Sequence, residues 1–215
     1  MQFFDTALLS TAYLAPVQYY TKFMVYKKIF IEAEENYQKQ SYRNRCNILT
    51  ANGILPLTIP VSKDMPKIKT RDIRIDNTLE WQKNHWTSIE SAYSSSPFFE
   101  FYMDEFSVFY TKKYRFLLEF NLNLQDYILD QLEIKPNIFL TKQFIEKGTP
   151  DYDDYRDSIH PKKRQQRKDK TFKPEFYYQV FREKFGFVGN LSIIDLLFNE
   201  GPNAENILKK SIAPK

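Results

Sequence analysis

Before residue 62, apolar positions recur with a period of two in short runs; after residue 80 they recur at three- and four-residue intervals. Ala7 to Thr11 reads as a short buried strand, and Lys28 to Ala33, KIFIEA, as a second one of alternating character. Between them Pro16 opens a helix over Val17 to Phe23, because proline is favoured at the first helical position. Strand, helix, strand predicts a βαβ unit with a right-handed crossover. Ser10, Thr11 and Tyr13 then lie just past the carboxyl end of the first strand, where open α/β sheets bind ligands. Glu32, Glu34, Glu35 and Gln38 leave the second strand on that same side.

The stretch from Asn36 to Val61 carries the strongest turn signal, Asn52-Gly53. Such a pair between two β-prone runs predicts a hairpin closed by a two-residue type I′ turn. The implied register sets Ala51 opposite Ile54, Ile48 opposite Leu57 and Cys46 opposite Ile59 on the largely apolar face. On the other face Arg43, Arg45 and Asn47 oppose Ser62, Pro60 and Thr58. Arg43 and Arg45 are thus expected to point the same way, roughly 7 Å apart at Cα. That spacing suits a carboxylate or phosphate, although a solvated strand face explains the same letters. Pro56 and Pro60 interrupt the ladder of the second arm, which predicts an edge strand.

The second half reads as helical. Asn77, with Glu80 three residues on, predicts a helix start, and the helix continues to about Tyr93 with Trp81, His85, Ile89 and Ala92 on one face. Ser96-Pro97 begins the next helix, and a third runs from about Tyr114 to Leu132. Asn137 to Thr141 is a short strand. Pro174 to Phe185 is expected to be helical and closed by Gly186; Asn190 caps the run LSIIDLLFNE, and Asn203 caps a last helix to about Lys210. The fold class is α/β: a mixed sheet with an N-terminal βαβ unit and a β-hairpin, then a helix-rich second half. Residues 1–215 form a single domain, with a mobile polar loop at about 149–173.

That loop runs from an acidic stretch, Asp151 to Asp157, into a basic one, Lys162 to Lys170. The basic stretch sets six cations against Asp169, a local balance of +5 in a chain of net charge +4, so the remainder is near −1. A nearly neutral body argues against a specific nucleic-acid surface. The loop is either a solvated excursion or a lid over an anionic substrate, using Arg156, His160 and Lys162. Aromatic residues make up 17% of the chain, which predicts a ring-rich core, and with 5 glycines there is no Gly-rich phosphate loop. The single cysteine, Cys46, fits a reducing compartment and a core position. No signal pattern or long apolar run is present, so the expectation is a cytoplasmic protein without membrane insertion.

Candidate chemistry is sparse. His85 and His160 stand in separate segments without metal-ligand spacing, so no metal site is expected. His85, beside Trp86 on a helix, is the acid–base candidate; a packed histidine with both nitrogens satisfied is the competing reading. Asp195 sits among Ile193, Ile194, Leu196, Leu197 and Phe198 and needs a partner, whether a hairpin arginine, a tyrosine or a backbone amide. The expected site is one cleft shared by Tyr13, Gln38, Arg43, Arg45 and His85, with Asp195 as an orienting acid. The cofactor and the oligomeric state are both open.

Several blocks resemble one family. Gln38-Lys39-Gln40-Ser41-Tyr42-Arg43-Asn44-Arg45-Cys46 is similar to the core motif of the WbqC-like protein family. Ala7 to Leu14, Lys83 to Ile89, Tyr178 to Phe181 and Asn190 to Asn199 fit in the same order. One departure is Ala15 before Pro16, where members often carry a second proline. The resemblance implies a direction more than a mechanism: some members are associated with bacterial O-antigen and surface-polysaccharide synthesis. The function expected from it is a transferase acting on an anionic donor, a nucleotide sugar or an activated amino acid. The alternative is a non-catalytic binding or assembly protein for the same synthesis.

Overall fold

A computed structural model describes residues 5–62, 67–162 and 169–213. Its centre is a four-stranded parallel sheet in the order β5-β2-β1-β6. Strand β1 (Thr6–Ser10) and β2 (Lys28–Glu32) pair in parallel from Thr6 opposite Lys28 to Ser10 opposite Glu32. Helix α1 (Val17–Val25) joins them, so the predicted βαβ unit is present. Ala7, Leu8 and Leu9 are fully buried, as expected of an interior parallel strand covered on both faces. The other two strands arrive late in the chain: β5 (Ile138–Leu140) pairs with β2, and β6 (Asp153–Asp154) pairs with β1 on its far side.

The hairpin of β3 (Arg45–Thr50) and β4 (Gly53–Thr58) forms a separate two-stranded sheet. Its register differs from the expected one by two residues: Thr50 faces Gly53, Ile48 faces Leu55 and Cys46 faces Leu57. The turn residues are therefore Ala51 and Asn52, and Gly53, at φ +104°, takes the left-handed position that follows them. A shift of two preserves the faces, because side chains alternate with period two. Cys46 and Ile48 remain fully buried. Burial also raises the Cys46 thiol pKa, so it is a core residue.

The helices are α2 (Trp81–Tyr93), α3 (Phe99–Ser107), α4 (Leu117–Gln131), α5 (Arg182–Phe185), α6 (Ile193–Glu200) and α7 (Ala204–Lys210). Three expectations need correction. Helix α6 has Ser192 and not Asn190 as its N-cap, and the Asn190 side chain instead accepts from the Gln18 amide of α1. Helix α2 starts three residues later than the Asn77 cap implied, because Asp76 captures the Thr78 amide and hydroxyl while Asn77 donates to the Tyr114 carbonyl. Residues 174–181 are not helical. Tyr177 and Gln179, two apart, both reach Asp195, which requires extended rather than helical spacing.

The ring-rich core lies between the hairpin and α2, α3, α4 and α6. Trp81, Trp86, Phe106, Tyr110, Phe120 and Phe198 contact one another there at centroid distances of 5.4 to 6.5 Å. Each such pair adds about 0.5–1.5 kcal/mol beyond its area burial. The polar segment after Thr149 is tied in where it is described. Strand β6 enters the sheet, the Tyr155 and Tyr26 hydroxyls meet at 2.6 Å, and the buried Lys22 of α1 pairs with Asp169 and donates to Thr171. The basic residues Lys163, Arg164, Arg167 and Lys168 lie outside the described residues.

Candidate functional site

All four strands of the parallel sheet end on the same side. Strand β1 has β2 on one flank, reached through α1, and β6 on the other, so the chain changes direction across β1 and β6. The crevice at such a reversal is where open α/β sheets place ligands. A small cavity of about 10 Å³, room for one water, sits there. It is lined by Ser10 and Thr11 after β1, Tyr155 and Arg156 after β6, and Tyr19, Tyr42 and Arg43. Beside it opens a cleft of about 370 Å³, which shares Arg156 and adds Glu34, Glu35, Gln38, Lys69, Lys147 and Asp157.

The floor of the site is two buried arginines. Arg43, 2% exposed, grips Glu35 with two parallel bonds, Nε to Oε1 at 2.8 Å and Nη2 to Oε2 at 2.6 Å. Its Nη2 also donates to the Ser10 hydroxyl at 2.7 Å. Among the described residues no acceptor bonds its Nη1. Arg156 is held by Asp154 through Nε and Nη2, at 2.9 and 2.6 Å, and by Glu32 and the Ile145 carbonyl through Nη1. Bidentate geometry of this kind fixes the guanidinium planes. The rim differs: Lys69 and Lys147 are half exposed and pair with Glu34 and Asp157. His160 is buried near Arg43; burial first, and then the Arg43 charge, lower its pKa, so it is neutral at pH 7. Its Nδ1 accepts from the Lys162 amide, and the Lys162 ammonium donates to the Gln40 side chain.

Of the residues expected to share one cleft, Gln38 and Arg43 lie here, together with Arg156 and, near Arg43, His160 from the segment read as a lid. Others do not. Arg43 and Arg45 do not point the same way: the ladder begins only at Arg45, and Glu35 and Ser10 draw Arg43 to the sheet edge. Arg45 instead lines a separate groove and bonds the Thr58 hydroxyl. Tyr13 is fully buried and not at the ligand edge. The chain turns inward at Leu14, which adopts φ +40°, and the Tyr13 hydroxyl meets His85 Nδ1 and the Tyr110 hydroxyl, each at 2.9 Å.

His85 is 5% exposed, and its ring also meets the Thr58 backbone. Burial lowers its pKa to about 4, so it is a neutral packed histidine. Asp195 is sealed in the core and accepts from Tyr93, Tyr177 and Gln179, at 3.0, 2.7 and 2.7 Å. Burial outweighs those donors and raises its pKa to about 6. A tyrosine was among the partners expected for it; two are present, and Tyr177 comes with Gln179 from the segment read as helix. Sequence reasoning missed Asp154 and Lys69 as site residues, and placed Glu32 on the ligand side without a role. The alternation KIFIEA puts Glu32 at the strand end, but nothing local announces that Arg156 will reach it from 124 positions away.

Among the described residues, no group of three or more His, Cys, Asp or Glu side chains is placed to hold a metal ion, and no helix is long and apolar enough to cross a membrane. An uncharacterized protein of Mycobacterium tuberculosis (strain ATCC 25618 / H37Rv), Rv1507c, is 31% identical over 94 residues, covering 43% of this chain and 40% of its own length. The chain thus spans less than half of that relative. No solved structure matches it significantly. The WbqC-like protein family matches residues 11–156, a span that opens at Thr11 and closes at Arg156, both lining the switch-point cavity. By that match, over more than half its length, the chain belongs to the WbqC-like protein family.

Proposed function

We propose that the protein binds an anionic small molecule at the carboxyl edge of its parallel sheet and acts as a transferase on it. The donor would be a nucleotide sugar or an activated amino acid, in the synthesis of a bacterial surface polysaccharide. The observation that carries the reading is the cavity at the sheet's point of reversal, floored by Arg43 and Arg156 and opening beside a cleft of about 370 Å³. That volume suits a small ligand. Arg43 Nη1, which no described acceptor bonds, and the Ser10 hydroxyl, whose oxygen accepts from Arg43 Nη2, are donors left for a ligand. At the rim, the Lys69 and Lys147 side chains are half exposed, and Glu34 keeps Arg71 as a partner if Lys69 turns to a ligand. A ligand with two anionic groups would take one on the fixed floor and the other on these lysines.

The test is a thermal-shift screen of nucleotides, nucleotide sugars and aminoacyl donors, followed by titration of any hit. Saturable stabilisation that weakens at least tenfold in the Lys69→Ala, Lys147→Ala double variant is expected. Stabilisation untouched by that change would remove the site from consideration. A second reading, a non-catalytic binding or assembly protein, is favoured by one feature: the expected proton carrier, His85, and its expected orienting acid, Asp195, are both sealed in the core. Turnover of the bound donor separates the two readings.

A further inference from the structure

The small cavity at the reversal of the sheet is lined by residues with donors still to spend. Two of these donors are backbone amides. Thr11 and Ala12 follow β1, are 2% and 8% exposed, and their amides bond no described residue. Buried amides without an acceptor are rare in folded proteins, so two in succession call for an explanation. Two more are hydroxyls. The Thr11 oxygen accepts from Asn121 Nδ2 at 3.2 Å and the Ser10 oxygen from Arg43 Nη2 at 2.7 Å, so each hydroxyl has its proton left to give. Asn121 Nδ2 also holds the Arg43 carbonyl at 2.8 Å, which ties both walls of the cavity to α4. The last is Arg43 Nη1, which no described acceptor bonds and which is not sealed from solvent.

Charge and size decide what kind of oxygen answers them. Glu35 spans Arg43, and Glu32 and Asp154 hold Arg156, so two arginines stand against three carboxylates. The floor therefore offers a phosphate dianion no net positive charge. No carboxylate lines the cavity itself, and its volume of about 10 Å³ admits one oxygen atom rather than a tetrahedral group. We infer that the cavity takes the oxygen of a planar acyl group, a carboxylate or an activated derivative of one, on the amides of Thr11 and Ala12, the two hydroxyls and Arg43 Nη1. The inference rests on the proposed anion site. Cavity and cleft share Arg156, so one ligand can place its acyl oxygen in the first and a phosphate on the rim lysines of the second. Of the two donor classes proposed above, the activated amino acid has this group at its reacting end.

Three ligands test the pocket. β-Phosphonopropionate carries a carboxylate, its carboxyl methyl ester a neutral acyl group, and propylphosphonate neither. Each is titrated into the isotope-labelled whole chain while NMR follows the Thr11 and Ala12 amides. Saturable shifts of both amides are expected with the acid or the ester, and binding about tenfold or more weaker with propylphosphonate. Tighter binding of the acid identifies a carboxylate as the group, and equal or tighter binding of the ester an acyl carbonyl. Thr11→Val keeps the shape and removes one hydroxyl. It is expected to weaken the acyl ligands about fivefold and to leave propylphosphonate unchanged. Its melting temperature reports whether the fold is intact, and the amide shifts of the parent protein decide the matter if it is not. The Lys69→Ala, Lys147→Ala double variant separates this pocket from the reading it rests on. Amides that still move there, at unchanged affinity, keep the pocket and remove the rim. Binding that the double variant abolishes, but that never moves these amides, keeps the rim and overturns the pocket. The pocket is equally overturned if propylphosphonate binds as tightly as the acyl ligands, if a folded Thr11→Val binds them unchanged, or if no ligand binds saturably.

Discussion

His85 and Asp195 both bury titratable groups, and they pull stability in opposite directions over one pH window. The lowered pKa of His85 means that the unfolded chain takes up a proton first on acidification. Its contribution is complete above about pH 6.5 and lost as pH falls toward 4, about 3 kcal/mol in all. The raised pKa of Asp195 has the reverse sign. Its contribution is complete below about pH 4 and lost as pH rises through 6, about 2–3 kcal/mol. The two largely offset, with His160, also lowered, adding to the histidine side. Denaturant titrations from pH 4 to 7 should therefore show a shallow profile in the parent protein. Asp195→Asn should lose stability on acidification more steeply than the parent, and His85→Phe less steeply or with reversed slope. Parallel profiles for all three would remove these two groups as the cause. Arg43 belongs to the same scale. Arg43→Ala should cost about 3–5 kcal/mol, because it strands the buried Glu35 carboxylate, and calorimetry reads the loss directly. The sequence already offered a packed His85 and a tyrosine for Asp195. It did not show that Arg43 turns away from Arg45, because the choice was made by Glu35 and Ser10, whose proximity depends on tertiary structure.

At the scale of elements, two glycines separate conformational need from space. Gly53 after the hairpin turn has φ +104° and open space where a Cβ would sit. Gly53→Ala should cost only backbone strain, about 1 kcal/mol. Gly201 ends α6 at φ +51°, and a Cβ there would stand 2.5 Å from the Phe98 ring. Gly201→Ala should cost clearly more, since the partly buried Phe98 is packed against the core; thermal melts of the two variants side by side decide the order. The helices with apolar stripes, α3, α4 and α6, were legible because the period of 3.6 is a local property. The stretch before α5 was not. Pro174 and the run after it satisfy every local rule for a helix, but Tyr177 and Gln179 are recruited by Asp195 from another element. The hairpin register slipped by two because Asn52-Gly53 suits two turn types, and only the flanking ladder chooses between them.

For the molecule as a whole, the order of strands decides what holds the candidate site together. Lys22 and Asp169, 0% and 3% exposed at their side chains, clamp the end of the polar excursion onto α1. Burial depresses the lysine's pKa, and Asp169 counters it; burial would raise that of Asp169, but Lys22 and three hydrogen bonds outweigh it and leave it below the usual range. Asp169→Ala should destabilise by about 3–5 kcal/mol, and Lys22→Met with Asp169→Leu should recover much of that, because the cost lies in the stranded charge. Failure of the double change to recover stability would show that the clamp matters for shape instead. The composition of that segment suggested a mobile loop, since no local pattern reveals that Asp153 and Asp154 will serve as a strand. The same arrangement has a consequence for synthesis. Ser10, Glu32 and Arg43 leave the ribosome early, and Arg156 follows more than a hundred residues later, on the order of ten seconds at ordinary translation rates. Until then Glu32 is a carboxylate in a nascent sheet without its cation, and β1 presents an open edge where β6 will pair. The growing chain is thus most exposed to wrong pairing in that interval, and a chain that terminates before Arg156 carries half of the floor and cannot assemble the rest.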